Sequence, residues 1–224
     1  MGTVRGAGKP CAVTTRPARL AKPKPKLAYH HEDLRRALLD AALVHLRDGD
    51  VTSLNLQVLA RAVGVSRGAP YHHFPDKVSL LAALAEEGFQ LWLADAERVV
   101  ADAASPSAAI AALAQAWLDF AGRHPEHYRV MFLRDVEDRT RFSSLHTTSG
   151  RALELLVGVL GRRSPRASQD ALLAAAVRLW SVVHGFAALR DAGVLSNIPG
   201  LPPLAALEAD IVASLGRGAQ PTER

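Results

Sequence analysis

Between Leu56 and Leu81 the chain reads LQVLARAVGVSRGAPYHHFPDKVSLL, and it changes direction twice without losing helical periodicity. Leu56, Leu59, Ala60 and Val63 stand at i, i+3, i+4 and i+7, the apolar stripe of a short helix. Gly64 follows, a residue that accepts the left-handed backbone that ends a helix, and Val65 then turns back towards the core. Ser66 is placed to cap a second short helix whose outward face is Arg67, Gly68, Ala69 and His72. Pro75 stops that helix, and Asp76 caps a third that opens at Lys77 and carries Leu80, Leu81 and Leu84. Two short helices across a tight turn make a helix-turn-helix pattern, in which the second helix lies in a DNA major groove.

The remainder is consistent with an all-α chain. Ala, Leu, Arg and Glu dominate, aromatics are 5%, and β-branched residues rarely alternate with polar ones. Apolar stripes and break signals predict about nine helices. The first spans 30–47, with Leu34, Leu38, Ala41, Ala42 and His45 or Leu46 inward, and Thr52 and Ser53 prepare the next. The stretches 56–63 and 66–74 make the helix-turn-helix. A long helix over 77–101 carries Leu80, Leu84, Phe89, Leu91 or Trp92, and Val99. Further helices are expected over 105–123, 127–133, 142–160, 168–192 and 204–215, with the charged run 134–141 exposed.

Charge is uneven. Residues 1–80 hold 13 Lys and Arg against 6 Asp and Glu, whereas residues 81–224 hold 14 against 16. A basic front half points to a polyanionic partner, although a basic tail on an ordinary domain has the same signature. Residues 1–28 contain seven Lys and Arg, no acid and four prolines, so they read as a disordered arm that either tracks phosphates or only solubilises. Cys11 is the only cysteine, which excludes an intramolecular disulfide and fits a reducing cytoplasm. No uninterrupted apolar run of ~18 residues is present, so no membrane span is expected.

Ala60, Ala62, Gly64, Val65, Ser66, Tyr71, Phe74, Lys77 and Leu81 together resemble the tetracycline-repressor (TetR) family of bacterial regulators. The resemblance covers about 45 residues, with 33–50 leading into it. It departs at Ala69-Pro70, where many members carry Thr-Leu or Ser-Leu. What it implies is a DNA-reading surface made of Gln57, Ser66, Arg67, Gly68, Ala69, Tyr71, His72 and Lys77. Chemistry agrees with that assignment. Arg67 has the fork that holds guanine O6 and N7, and Gly68 and Ala69 let the backbone approach a groove. Lys77 opens a helix whose N-terminus favours phosphate.

Trp180, His184 and Gly185 make a W-x-x-x-H-G pattern that looks like the C-terminal region of a TetR subgroup named for those residues. The resemblance implies that the last two helices pair between subunits of a homodimer; the alternative is that both complete one monomer core. Leu172, Ala176, Leu179, Val183, Phe186, Leu204, Leu207 and Ile211 are the candidate interface, since their spacings of four and three form a packing seam. Trp117, Phe120, Met131, Phe132, Trp180 and His184 are candidates for an apolar pocket, with plain core as the default reading.

Catalytic signatures are missing from the sequence: no P-loop, no nucleotide-binding glycine motif after a strand, no G-x-S-x-G and no H-E-x-x-H occur. The nine histidines form no convincing ligand set, so no metal and no cofactor is expected beyond a small-molecule effector. The domain reading is an arm over 1–28, a helix-turn-helix domain over 29–76, a ligand-binding and dimerisation domain over 77–217, and a tail over 218–224. The function expected is a cytoplasmic, homodimeric, ligand-responsive repressor on a palindromic operator. A helical small-molecule-binding protein or enzyme with an incidental helix-turn-helix is the rival.

Overall fold

A computed structural model of the chain describes residues 31–218, so the basic arm and nearly all of the tail lie outside the described residues. Among the described residues there are eight α-helices and no strand: α1 His31–Asp48, α2 Leu56–Val63, α3 Lys77–Ala101, α4 Pro106–Arg123, α5 Pro125–Met131, α6 Ser143–Arg163, α7 Gln169–Asp191 and α8 Leu204–Gly218. The all-α expectation holds. One expected helix is missing: residues 69–72 form a single 3-10 turn instead of an α-helix.

Pro70 is the reason. It has no N–H, so the carbonyl of Ser66 accepts from Ala69 at 3.1 Å, one residue short of α spacing. Tyr71 then donates to the Gly68 carbonyl at 3.2 Å, and Phe74 to Pro70 at 2.9 Å. No side-chain cap opens this turn, so Ser66 takes part through its backbone carbonyl. Capping differs upstream as well. Asn55 Oδ1 accepts from Val58 N at 2.9 Å and starts α2, whereas Thr52 and Ser53 lie in a 3-10 turn capped by Asp50. Gly64 ends α2 at φ 78°, and the Val65 amide reaches back to the Ala60 carbonyl at 2.9 Å, a left-handed helix stop. Val65 itself is only half-buried.

The long helix starts where its cap predicts. Asp76 Oδ1 accepts from Ser79 N at 2.8 Å, and α3 then runs to Ala101. Leu80, Leu84, Phe89 and Trp92 turn inward, and Leu91 faces out. Helix α3 packs on α4, α5 and α6, so it belongs to the body as much as to the front. Helix α5 begins at Pro125, two residues before the expected start, because proline is tolerated in a first turn. Within the run expected to be exposed, Val136 is buried.

The front end is tied to the body by polar contacts as well. Arg36 of α1 meets Glu87 of α3 at 2.6 Å, and His127 of α5 meets the same carboxylate at 3.3 Å. Arg47 meets Glu126 at 3.3 Å, and Arg129 donates to the Leu46 carbonyl at 3.2 Å.

Helix α7 corrects one expectation. Leu172, Ala176, Leu179, Val183 and Phe186, placed above at a subunit interface, are buried inside the subunit, where α7 packs on α4 and α6. Periodic spacing marks a packing face and cannot say which partner covers it. Val177, Val182 and Leu189 lie on another side of α7, 45–48% exposed. With apolar residues on both sides, α7 is long and apolar enough to cross a membrane by length and composition alone, a property that the core helices of globular proteins share. Leu207 and Ile211 of α8 are half-buried against the core, and Leu204 is half-buried.

Candidate functional site

The turn after α2 carries the candidate reading surface. Gln57, Ser66, Arg67, Gly68, Tyr71 and His72 are exposed, and Ala69 is half-buried. Beneath them Pro70 and Phe74 are buried and anchor the turn, with the Arg35 guanidinium 5.4 Å above the Phe74 ring. Tyr71 is 48% exposed although it is aromatic. Gly68 is informative in a different way. Its φ is an ordinary −85°, and a Cβ added there would meet no atom within 4 Å. Nothing inside the subunit requires glycine at that point.

Lys77 is placed differently from the other candidates. Its Nζ donates to the Val51 carbonyl at 2.7 Å and is 3.5 Å from that of Thr52, so the side chain pins the start of α3 to the turn before α2. Arg141, from far along the sequence, also arrives here. Its guanidinium pairs with Asp76 and donates to Ser79 Oγ at 3.0 Å. Partial burial works against the Asp76 carboxylate, but the Ser79 amide, Arg141 and the Ser79 hydroxyl outweigh it and hold its pKa below the usual range.

The body contains a cavity of about 340 Å³ between α3, α4, α6 and α7. Of the pocket candidates, Trp117, Met131, Phe132 and Trp180 line it. Phe120 does not; it is fully buried in solid core. His184 does not either. It stands behind Phe132, ring centroids 4.5 Å apart, with its Nδ1 2.8 Å from the Tyr128 hydroxyl. Burial pushes the Tyr128 phenol up to about 12 and His184 below its usual value, and the phenol also donates to the His184 carbonyl at 3.3 Å.

Several lining residues are not among the pocket candidates of the sequence reading. Phe89 and Trp92 come from α3, Ile110 and Leu113 from α4, and His146 and Ser149 from α6. Leu179 and Val183, expected between subunits, face the cavity. Trp92 packs edge-on against Trp117 at 5.2 Å, and Trp117 lies 5.9 Å from Phe132. Glu137 and Arg139 stand at the mouth, both exposed. Among the described residues no three His, Cys, Asp or Glu side chains gather as a metal site.

Comparison with known proteins agrees with this two-part layout. The profile of bacterial regulatory proteins of the tetR family matches residues 38–84, and that of the tetracyclin repressor-like C-terminal domain matches residues 110–213. The chain belongs to the TetR family. The second match includes Trp180, His184 and Gly185. The HTH-type transcriptional repressor Rv1474c of Mycobacterium tuberculosis is 37% identical over 75 residues, which is 33% of this chain and 40% of that protein. A solved protein of unknown function from Rhodococcus sp. RHA1 is 30% identical at a TM-score of 0.69, with 86% of this chain and 98% of that one covered. AibR, solved with isovaleryl coenzyme A and operator DNA, shares the fold at a TM-score of 0.62 and 17% identity, over 81% of this chain and 96% of that one.

Proposed function

We propose that the chain is a DNA-binding transcriptional regulator, a repressor that sits on a two-fold operator as a homodimer and leaves it when a small molecule fills the cavity. The observation that carries the reading is the exposed 66–72 turn. It presents Arg67, Tyr71 and His72 around Gly68, where the surface is open. The repressor Rv1474c, similar over part of its length, and AibR with its operator agree in kind.

The homodimer is supported by the second apolar side of α7. Val177, Val182 and Leu189 are exposed beside the small residues Ala174, Ser181, Gly185 and Ala188, so a second α7 can approach closely. Two subunits also match the symmetry of an operator made of two half-sites. Cavity and reading turn are mechanically linked. Helix α3 carries Asp76 as its cap at one end and places Phe89 and Trp92 in the cavity wall further along. The segment 136–146 also lines the cavity, and its Arg141 grips Asp76. A ligand that favours one placement of these elements shifts the population of DNA-competent dimers. Such a protein works in the cytoplasm, on the chromosome.

The test is a titration of DNA taken from beside the chain's own gene, at fixed salt. Arg67→Ala and Tyr71→Ala are each expected to weaken specific binding about 10- to 100-fold, since a base contact is worth about 1–3 kcal/mol. Helicity should not change. Binding unaltered by both substitutions removes the assignment.

A further inference from the structure

The cavity wall itself indicates what kind of molecule fits. Five rings, those of Phe89, Trp92, Trp117, Phe132 and Trp180, face it, and most of the remainder is aliphatic. Polar side-chain atoms in the wall are few, and the Ser149 hydroxyl already donates to the His146 carbonyl at 3.2 Å. Trp92 Nε1 and His146 Nε2 are buried in the wall without a partner. A ligand group that needs a hydrogen bond would lose its water there and gain nothing in return, and an ionised group would suffer far more. Any polar group on the ligand therefore has to sit at the mouth.

The charges at the mouth cancel. Glu137 and Arg139 are the ionisable pair there, exposed and of opposite sign. An anion held by Arg139 has the Glu137 carboxylate beside it. Arg141, two residues on, is already paired with Asp76. The mouth thus lacks the cluster of free cations that a carboxylate or phosphate would require.

We propose that this cavity takes an uncharged, ring-containing apolar molecule with its one polar group at the mouth, and that Glu137 is the residue that turns anionic analogues away. This rests on the effector-cavity reading above and narrows it to a ligand class.

All three tryptophans of the chain line the cavity, Trp92 and Trp117 from buried positions and Trp180 from one that is 39% exposed, so quenching of intrinsic fluorescence reports on its occupancy. The full chain is titrated with 2-acetylnaphthalene and with 2-naphthoate, two probes of the same ring and nearly the same size that differ in charge. The ketone is expected to bind at least tenfold more tightly. In Glu137→Gln the gap should shrink by about fivefold, the effect of one like charge about 4 Å away in water. That change should come from the naphthoate alone. Because Glu137 is exposed, the variant should keep wild-type helicity, which circular dichroism checks. Equal affinity for the two probes, a gap unchanged in Glu137→Gln, or no quenching by the ketone overturns the proposal. Operator binding is followed in the same samples. Ketone bound with no effect on operator affinity upholds the ligand class and removes the effector reading. Operator bound and ketone ignored removes the ligand class and leaves the DNA reading standing.

Discussion

Glu87 joins three helices, and the contribution of its charge to stability is measurable. The carboxylate accepts from His127 of α5 at 3.3 Å and from Arg36 of α1 at 2.6 Å. The His127 bond is the largest influence, partial burial opposes it, Arg36 adds to it, and together they bring the Glu87 pKa from 4.5 down to about 2. At about 1.4 kcal/mol for each pKa unit, a group wholly withdrawn from water would contribute about 3 kcal/mol at neutral pH. The Glu87 side chain is 25% exposed and that of Arg36 45%, so solvent screens the pair. A loss of about 1–2 kcal/mol in Glu87→Gln is the expectation. For a domain of this size that lowers Tm by roughly 2–8 °C. The sign of the pH dependence follows from the depressed pKa. The contribution is complete above 4.5, the unfolded value, and is lost as pH falls through about 2. Thermal melts of wild type and Glu87→Gln, followed by circular dichroism from pH 7 to pH 3, should therefore converge as the pH falls below about 4.5. A gap that stays constant over that range, or no gap at pH 7, refutes the reasoning.

Gly64 and Gly68 should separate cleanly. Gly64→Ala forces a side chain into φ 78° with no neighbour in compensation, and should cost about 1 kcal/mol in urea melts. Gly68→Ala should leave stability within about 0.5 kcal/mol and weaken operator binding, so equal stability losses would argue against an external role for Gly68. Val182→Glu on the exposed side of α7 should give a monomer by sedimentation with unchanged helicity; a dimer that survives it places the interface elsewhere. Arg141→Ala removes the tie to Asp76 and Ser79 and should leave ligand and DNA affinities nearly intact while weakening ligand-induced release. Full release in that variant would locate the coupling in α3 alone.

Much of the architecture was legible because its boundaries are written in single residues. Asp76, Ser105 and Ser168 each cap the helix that the apolar stripe predicts. The misses share a physical cause, which is that spacing encodes a face and not its partner. Leu172, Leu179 and Val183 repeat as a dimer seam would, yet the surface that covers them belongs to the same subunit. Residues 134–141 read as solvated charge, and so Val136, Glu137 and Arg139 were not seen as cavity residues. Lys77 carries no local sign that its amine turns to the carbonyls of Val51 and Thr52. Pro70 was visible, and its effect on the recognition turn is the missing N–H itself.

That turn has a consequence for information content. The reading turn over 66–72 exposes few side chains, those of Ser66, Arg67, Tyr71 and His72. If each specified base pair is worth about 1–3 kcal/mol, two or three contacts in a half-site discriminate weakly against a whole chromosome. Doubling the half-site by symmetry squares that discrimination. The rest has to come from contacts blind to sequence and from the shape of the duplex between half-sites. A regulator with so short a reading element would tolerate substitutions within a half-site better than a change in the distance between half-sites.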